Sequence, residues 1–509
     1  MWTTAFVRSP RGLGAVASLA ACLVLAGCGG GASSVPQALS FGKHRASGSS
    51  PISHVIVVVQ ENRSFDNLFA TFPGARGATR GKEKVKKHGQ YVDKWLTLKP
   101  QPLAINYDLS HCRASYLNDW DNGKMDGFNT TALNACGAGP PDGARPYHYV
   151  TPSEIAPYWD IASEWVLADE MFQTQGSGSF TAHQDLIRGG TCITYGCSYS
   201  APSANALSLV DNPTYWPWGC DAHSSVVTYT LNIYGVEKEN GPFPCSNKFP
   251  DYSQYDTLAT LLDNAGVTWK YYTPCFNPKV QSGCAPSSGC SGSLPNCNGS
   301  ELDAFDVIYP VRYGPEWGTN VSWPETNVFS DISSGTLPAV SWVIPEDANS
   351  DHPKEVCPTG KGYCDFGPSW VASVVNAVGQ SQYWDSSVVI VVWDDWGGFY
   401  DNAAPPLIDE FGGLGFRVPM LVISPYDIAG SESGGGYISH TQYEFASILK
   451  YVEQNWNLGS LNTTDQRANS IGDVLNYAQS PRSFTSIPSN RSIKYFASQS
   501  RKLQHGDSE

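Results

Sequence analysis

The sequence predicts an α/β protein with a central, mostly parallel sheet flanked by helices. Two helical patterns run from Thr257 to Ala265 and from Trp370 to Val378, and each ends at a glycine. They alternate with three continuous apolar runs of the kind found in strands that are buried on both faces. These runs are His54-Val-Ile-Val-Val-Val-Gln60, Ser387-Val-Val-Ile-Val-Val-Trp393 and Val418-Pro-Met-Leu-Val-Ile-Ser424.

The composition excludes two classes of protein. Charged residues make up 16% of the chain and hydrophobic residues 41%, and the net charge is −15. A chain with this apolar content buries a large core and is not intrinsically disordered. Its excess of acidic residues excludes a nucleic-acid binder that depends on phosphate contacts. The length of 509 residues permits one large domain with insertions, or several domains.

Residues 1–27 have the pattern of a secretory signal peptide. Arg8 and Arg11 precede an apolar run, residues 13–26, that is too short and too rich in alanine for a membrane span. The segment Leu25-Ala26-Gly27-Cys28 resembles the processing box of bacterial lipoproteins. This resemblance implies that Cys28 is acylated and that the exported chain is anchored by lipid in the cell envelope, at the outer membrane, in the periplasm or at the surface. An ordinary cleaved signal beside an incidental Cys28 is the alternative.

The rest of the chain divides into three predicted parts. Residues 28–51 are rich in Gly, Ser and Ala and are typical of a flexible tether. Residues 52–482 form the folded domain, with a Cys-rich surface insertion at about residues 274–300. Residues 483–509 are polar and basic and are predicted to form a peripheral tail.

The cysteines predict disulfides. Fourteen are present, and an even number remains when Cys22 in the signal and Cys28 are set aside, as expected for an exported chain. The connectivity of Cys275, Cys284, Cys290 and Cys297 stays open, and a zinc site in this quartet is the less favoured alternative because no CxxC pair is present. Short spacings suggest the pairs Cys112 with Cys136, Cys192 with Cys197, Cys220 with Cys245, and Cys357 with Cys364.

Acidic residues follow two of the predicted strands directly. Glu61 and Asn62 come after the first strand, and Asp394 and Asp395 after the second. Ligands of open α/β sheets bind at the carboxyl ends of the strands, so we expect the two groups to converge. Three carboxylates and an amide oxygen suit a hard divalent cation. Capping of the following helices is the alternative role for these residues.

Seven short segments carry a recognisable pattern when taken in their order along the chain. They are Glu61-Asn62-Arg63-Ser64-Phe65-Asp66, Asn122-Gly-Lys-Met-Asp-Gly-Phe128, Ser350-Asp-His-Pro353, Trp393-Asp-Asp-Trp-Gly-Gly-Phe-Tyr-Asp401, Phe416-Arg-Val-Pro419, Ile423-Ser-Pro425 and Ser439-His-Thr-Gln-Tyr443. Together they resemble the bacterial phosphoesterase family of phosphatidylcholine-type phospholipases C and related acid phosphatases. The resemblance covers about residues 53–482 and implies an alkaline phosphatase-like fold, one divalent metal ion, and a Ser or Thr nucleophile.

The resemblance implies roles for individual residues. Ser179, at the start of a predicted helix, aligns with the family's nucleophile, while Thr181 and Ser177 remain alternatives because Thr181 and Ala182 replace the Pro-Asn of the family pattern. A serine hydroxyl needs a base or a metal to react at neutral pH. Glu61, Asn62, Asp394, Asp395 and Ser179 are the implied metal ligands.

Three histidines are candidates for the proton donor or for contacts to the phosphoryl oxygens. His111 and His352 match family positions that line the phosphate pocket, and His440 is a weaker candidate. One departure concerns Asn402, where the family often has His after the Asp; the substitution removes a group that could donate a proton.

The sequence therefore predicts a phosphoric ester hydrolase that acts through a phosphoseryl intermediate. The substrate is a phosphomonoester, as for an acid phosphatase, or a phospholipid, as for a phospholipase C. The alternative is a catalytically inactive binding protein of the same fold on the cell surface.

Overall fold

The strand predicted after Pro51 is β1, which lies in the middle of the largest sheet with nearly every residue buried. The computed structural model describes residues 50–133, 139–193, 204–214, 218–221, 226–240, 255–274, 302–353, 365–407, 411, 413–430 and 435–499. The strands are β1 (His54–Gln60), β2 (Arg80–Lys87), β3 (Gln90–Thr97), β4 (Lys99–Gln101), β5 (His148–Val150), β6 (Val166–Ala168), β7 (Met171–Phe172), β8 (Leu207–Leu209), β9 (Thr228–Asn232), β10 (Glu237–Asn240), β11 (Trp269–Tyr272), β12 (Val321–Ser322), β13 (Val340–Val343), β14 (Ser387–Trp393), β15 (Met420–Ile423), β16 (Tyr437–Ser439) and β17 (Tyr443–Glu444).

The helices lie between these strands along the chain, so the α/β class is confirmed. They are α1 (Phe65–Phe69), α2 (Arg113–Trp120), α3 (Ala156–Glu164), α4 (Ser179–Arg188), α5 (Leu258–Ala265), α6 (Tyr309–Arg312), α7 (Glu316–Thr319), α8 (Asn327–Ser334), α9 (Phe366–Gly379), α10 (Phe445–Trp456) and α11 (Ile493–Ser498).

Eight strands form the central sheet, in the order β12-β11-β13-β1-β14-β15-β6-β16. All pairs are parallel except those of β15, which is antiparallel to both β14 and β6. The sheet is thus mixed but mostly parallel. The carboxyl ends of β1, β14 and β6 therefore share one edge.

Helices cover both faces of this sheet. Val57 of β1 is in register with Trp342 of β13, and Gln60 with Trp393 of β14, so the two tryptophans point to opposite faces. Trp342 donates to the Leu186 carbonyl in α4, whereas the Trp393 ring packs edge-on against Tyr158 of α3. Each face of the sheet is therefore buried by a helical layer.

Both predicted helices form. The first is α5, which Thr257 caps at the N-terminus through its side chain and which Gly266 ends in the left-handed conformation at φ 66°. The second is α9, which begins at Phe366, one turn earlier than predicted. Pro368 lies in that first turn. Proline is tolerated there because the backbone N–H groups of the first turn form no hydrogen bond within the helix.

The chain after Pro481 packs against the body as far as Gln499. The Phe496 ring of α11 meets Trp370 of α9 edge-on at 5.3 Å, and Arg491 pairs with Asp365 at 3.0 Å. Phe484 lies parallel to Trp165. Aromatic residues among the polar ones therefore attach the first part of the predicted tail, residues 483–499, to the α3 and α9 layer.

Several predictions concern residues outside the described part of the chain. These are the signal peptide, Cys28, nearly all of the tether, the Cys-rich insertion, and the Cys357 with Cys364 pair. Cys112, Cys192 and Cys220 are disulfide-bonded, while the partners predicted for them lie outside the described residues. The chain divides into two units at Ser49, and the described residues belong to the second. Among them, no helix has the length and apolar character needed to cross a bilayer.

Candidate active site

The two predicted acidic groups lie together at one edge of the sheet. Glu61 and Asn62 follow β1, and Asp394 and Asp395 follow β14, its parallel neighbour in the sheet. Helix α4 begins at Ser179 and brings its first turn to the same place. All five residues are buried. The strand-end rule therefore locates four of them, and α4 supplies the fifth.

Ser179 faces the second aspartate. Its Oγ donates a hydrogen bond of 3.1 Å to Asp395 Oδ2, and Asp395 Oδ1 accepts one of 2.7 Å from the Gly397 backbone N–H. The next amide of the helix, Phe180 N–H, donates to Asn212 Oδ1 at 2.9 Å. Ser179 thus stands at the N-terminus of a ten-residue helix, where the backbone dipoles favour a bound anion such as phosphate.

The two alternative nucleophiles have other surroundings. Thr181 Oγ1 accepts a hydrogen bond of 3.0 Å from the Asp211 backbone N–H, on a different side of α4 from Asp395. Ser177 lies before the helix, where its carbonyl accepts from Gln173. Among the described residues, the Ser177 hydroxyl has no hydrogen-bond partner. Of the three hydroxyls, that of Ser179 is the one that contacts the acidic cluster.

His183 joins the cluster, although the sequence analysis assigned it no role. His183, Glu61 and Asp394 each offer one ligand atom, and these atoms lie within 4.8 Å of one another. His183 Nε2 is 3.3 Å from Glu61 Oε1 and 4.0 Å from Asp394 Oδ2. The available signal was its spacing: residues four apart on a helix share a face, so Ser179 and His183 point the same way.

Burial sets the charge of these groups. Burial lowers the pKa of His183 to about 4, so its imidazole is neutral near pH 7, the form that binds metals. Burial and the neighbouring charge of Asp394 raise the pKa of Asp395 to about 8 and the pKa of Glu61 well above its usual value. A divalent cation would offset this repulsion among carboxylates.

The side chains fit such a cation. Asp394 Oδ2 is buried and, among the described residues, has no hydrogen-bond partner, so it can serve as a ligand. Carboxylate oxygens together with one neutral imidazole are donors that suit a divalent ion of hard or borderline character. The structure therefore supports a metal-ligand set that includes His183 with Glu61 and Asp394.

Asn62 connects the acidic cluster to His111. Its amide nitrogen can donate to Asp394 Oδ1 at 2.9 Å and to Glu61 Oε2 at 2.7 Å, and its amide oxygen then accepts from His111 Nε2 at 2.7 Å. The residue has a left-handed backbone, with φ 54°. A Cβ at Gly397 would overlap the Asn62 carbonyl oxygen, so only glycine allows the two strand-end turns to approach this closely.

His111 and His352 lie beside the acidic cluster. Their rings are 5.9 Å apart, and His111 Nδ1 lies 2.6 Å from the Leu109 carbonyl oxygen. The charge of His352 lowers the pKa of Glu61, and that of His111 lowers the pKa of Asp395, against the larger effect of burial. Both histidines therefore lie within electrostatic range of the carboxylates of the cluster.

His440 lies elsewhere. Its ring nitrogen Nδ1 is 2.8 Å from Asp169 Oδ1, and its side chain is 45% exposed. Within the described residues it makes no hydrogen bond or ion pair with the cluster around Ser179. The cause is sheet order: β16, which ends at Ser439, is three strands from β14, and neighbouring strands are about 4.8 Å apart.

Asn402 also lies away from Ser179, in a buried ionic cluster around Arg417. Its Oδ1 accepts a hydrogen bond of 2.8 Å from Arg417 Nη2, and its backbone N–H donates to Asp66 at 2.9 Å. Arg417 Nε also pairs with Asp401 at 3.1 Å. Asn402 therefore helps to satisfy a buried guanidinium.

The sheet, the strand-end carboxylates and the serine at a helix N-terminus define an α/β protein with a buried acidic site at the carboxyl edge of its sheet. The chain belongs to the Phosphoesterase family, whose model matches residues 52–459.

The chain also resembles individual proteins. It is 23% identical to the non-hemolytic phospholipase C of Pseudomonas aeruginosa over 487 residues, which cover 87% of this chain and 59% of that enzyme. It is 25% identical to phospholipase C A of Mycobacterium tuberculosis over 479 residues, 85% of this chain and 78% of the relative. It thus spans about three fifths of the Pseudomonas relative's length.

The chain also has a distant resemblance to solved structures. A protein in the alkaline phosphatase superfamily from Vibrio parahaemolyticus aligns over 81% of this chain and 67% of its own, with 10% identity and a TM-score of 0.31.

Proposed function

We propose that this chain hydrolyses phosphoric esters, with Ser179 as the nucleophile. The observation that carries the proposal is the contact of 3.1 Å between Ser179 Oγ and Asp395, beside the buried Glu61, His183 and Asp394. Family membership and the phospholipase C relatives support the same reaction class. An alkaline phosphatase-like fold is part of this proposal and rests on the family assignment.

The reaction has two steps. Ser179 Oγ attacks phosphorus, the ester bond to the leaving alkoxide breaks, and the serine proton passes to Asp395, which accepts the Ser179 hydrogen bond and returns the proton to Ser179 in the second step. His111 or His352 protonates the leaving alkoxide. Water then attacks the phosphoserine in line, which releases phosphate or a phosphorylated head group and restores Ser179.

The proposed metal ligands are Glu61, His183, Asp394 and Asp395, with Asn62 beside them. A bound divalent cation supplies positive charge that offsets the phosphoryl oxygens and lowers the energy of the attacking oxygen. The rest of the site positions the ester: the first turn of α4 orients Ser179, and His111 is held in place by Leu109 and Asn62.

Turnover by the purified chain tests whether it hydrolyses phosphoric esters, and whether it does so as a phospholipase C or as a phosphatase. The substrates are p-nitrophenyl phosphate, p-nitrophenyl phosphorylcholine and a bis-ester, each with and without a chelator. Hydrolysis of the phosphorylcholine ester supports a phospholipase C, and hydrolysis of the monoester alone supports a phosphatase. No turnover of any of the three, with added divalent cations, would contradict the proposal and favour an inactive binding protein.

We further propose that the chain is exported and anchored through acylated Cys28. The support is the sequence of residues 1–28. An anchored phosphoesterase would act on esters in the cell envelope or outside it.

A further inference from the structure

The β2–β3 hairpin collects cations and aromatic rings on one face. In its antiparallel register, Lys82 is opposite Trp95 and Lys86 is opposite Tyr91, and Arg80 is two residues before Lys82. Opposed residues point to the same face, and so do alternate residues of one strand. Arg80, Lys82, Lys86, Tyr91 and Trp95 therefore share one face, which we name the basic-aromatic face.

The residues of this face are available to a partner. Trp95 is 54% exposed and Tyr91 64%. Arg80 and Lys82 each lie 5.5 Å from the centroid of the Trp95 ring. Among the described residues, Arg80 and Lys86 make no ion pair, and the Lys82 ammonium contacts only a neutral carbonyl, that of Lys124.

Acidic groups neutralise the middle of the face but not its two ends. Lys84, between Lys82 and Lys86, pairs with Asp121 at 2.7 Å and with Asp126 at 3.5 Å. Asp93 lies opposite Lys84 in the hairpin. The cations at the base and at the tip of the hairpin keep their charge, in a chain whose net charge is −15.

The opposite face of the hairpin differs in its charged residues and in its aromatic residues. There Glu83 and Lys94 form an ion pair of 2.8 Å, and Val85 lies opposite Val92. This face has no aromatic residue, and Lys87 is its one charged residue outside that pair. The combination of free cations and exposed rings is therefore specific to the basic-aromatic face.

A cleft lies at the base of that face. It has a volume of about 320 Å³, and its lining includes Arg80, Lys82, Trp95, Lys124 and Tyr400. Lys124 pairs with Asp121 at 2.9 Å, so Arg80 and Lys82 are the cations of this concave space that can receive one phosphate-bearing head group.

We propose that the basic-aromatic face docks against a lipid bilayer that contains anionic phospholipids. Lysine and arginine near such a surface are attracted to its negative potential, and tryptophan and tyrosine favour the interface between lipid and water. Charge complementarity favours an anionic bilayer as the partner. A zwitterionic bilayer has no net charge and would not attract the cations Arg80, Lys82 and Lys86. This docking is independent of the proposed hydrolysis, since it concerns adsorption of the chain.

Vesicle sedimentation tests the proposal. The mature chain, with Cys28→Ser and exported behind a signal that is cleaved without lipidation, is mixed with vesicles of phosphatidylcholine alone or with phosphatidylglycerol added. We expect binding to the anionic vesicles that weakens at high salt. Joint replacement Arg80→Gln, Lys82→Gln and Lys86→Gln should weaken binding about fivefold for each cation, or on the order of a hundredfold in total.

The matched control removes the same charge elsewhere. It carries Lys94→Gln, Lys238→Gln and Lys494→Gln, all at exposed positions outside the basic-aromatic face. Trp95→Ala, as a separate variant, should weaken binding at both low and high salt. Circular dichroism and the thermal midpoint check that every variant folds. Equal loss of binding in the control and the triple variant would overturn the proposal, as would a parent chain that does not prefer anionic vesicles.

Discussion

Ser179 Oγ lies 3.1 Å from Asp395 Oδ2, although 216 residues separate them along the chain. The contact joins the first turn of α4 to the carboxyl end of β14. It also brings His183, one helical turn further on, to Glu61 and Asp394. Helix and sheet together thus form a site that neither forms alone.

Removal of a proposed ligand should remove the metal. Asp394→Ala and His183→Ala should each lower bound divalent metal and turnover together, on the order of tenfold to a hundredfold or more, because each takes a ligand from a small buried set. Elemental analysis of the purified chain and a turnover assay measure the two effects. The matched control, His148→Ala, changes a histidine in β5 outside the cluster. Full metal occupancy in both variants would contradict the proposal that Asp394 and His183 are metal ligands.

Metal binding should release protons. Because the pKa of Asp395 is raised to about 8, this carboxyl holds a proton at pH 7 that a cation must displace, and the pKa of Glu61 is shifted in the same direction. The metal affinity should therefore fall as the pH decreases below about 8. Isothermal titration in buffers of different ionisation enthalpy counts the protons. Affinity that does not change between pH 6 and pH 8 would contradict the ligand set.

The buried Arg417 should be important for stability. It pairs with Asp401 at 3.1 Å and Asp66 at 3.4 Å, and burial raises the pKa of Asp66 well above its usual value. Arg417→Met leaves two buried carboxylates without their cation and should lower the free energy of unfolding by about 3–5 kcal/mol. Denaturant unfolding measures the loss. Arg76→Met, which breaks an exposed pair with Glu170, is the control and should change little.

The N-terminal peptide should carry lipid. If Cys28 is acylated, mass spectrometry of the peptide from the mature chain should find fatty acids on Cys28, and the chain should partition into detergent. A mature N-terminus at another residue, or Cys28 in a disulfide, would contradict the lipoprotein assignment.

Local pattern was enough to predict the strands that position the site. The first two predicted runs coincide with β1 and β14, because a strand covered on both faces is apolar throughout. The third is shorter, since β15 begins at Met420 after Pro419, which has no N–H to donate to a neighbouring strand. Its antiparallel direction depends on chain connections that a local pattern does not contain.

The sequence predicts part of the site, because four of its residues directly follow strands that the local pattern predicts. The strand-end rule brought Glu61 and Asn62 together with Asp394 and Asp395, but it says nothing about which helix covers them. His183 therefore had no assigned role, although its spacing from Ser179 was visible. His440 belongs to a segment that resembles a family motif, and only the order of strands in the sheet shows that it lies with Asp169 instead.

Turnover by three alanine variants tests the central claim most directly. Ser179→Ala should lower the turnover of a phosphoric ester on the order of a thousandfold or more, with metal content and folding unchanged, because it removes the group that accepts the phosphoryl. Thr181→Ala and Ser177→Ala, assayed beside it, should stay within about tenfold of the parent chain. Near-parental turnover by Ser179→Ala, with a large loss in Thr181→Ala or Ser177→Ala, would contradict the account and transfer the nucleophile to that residue.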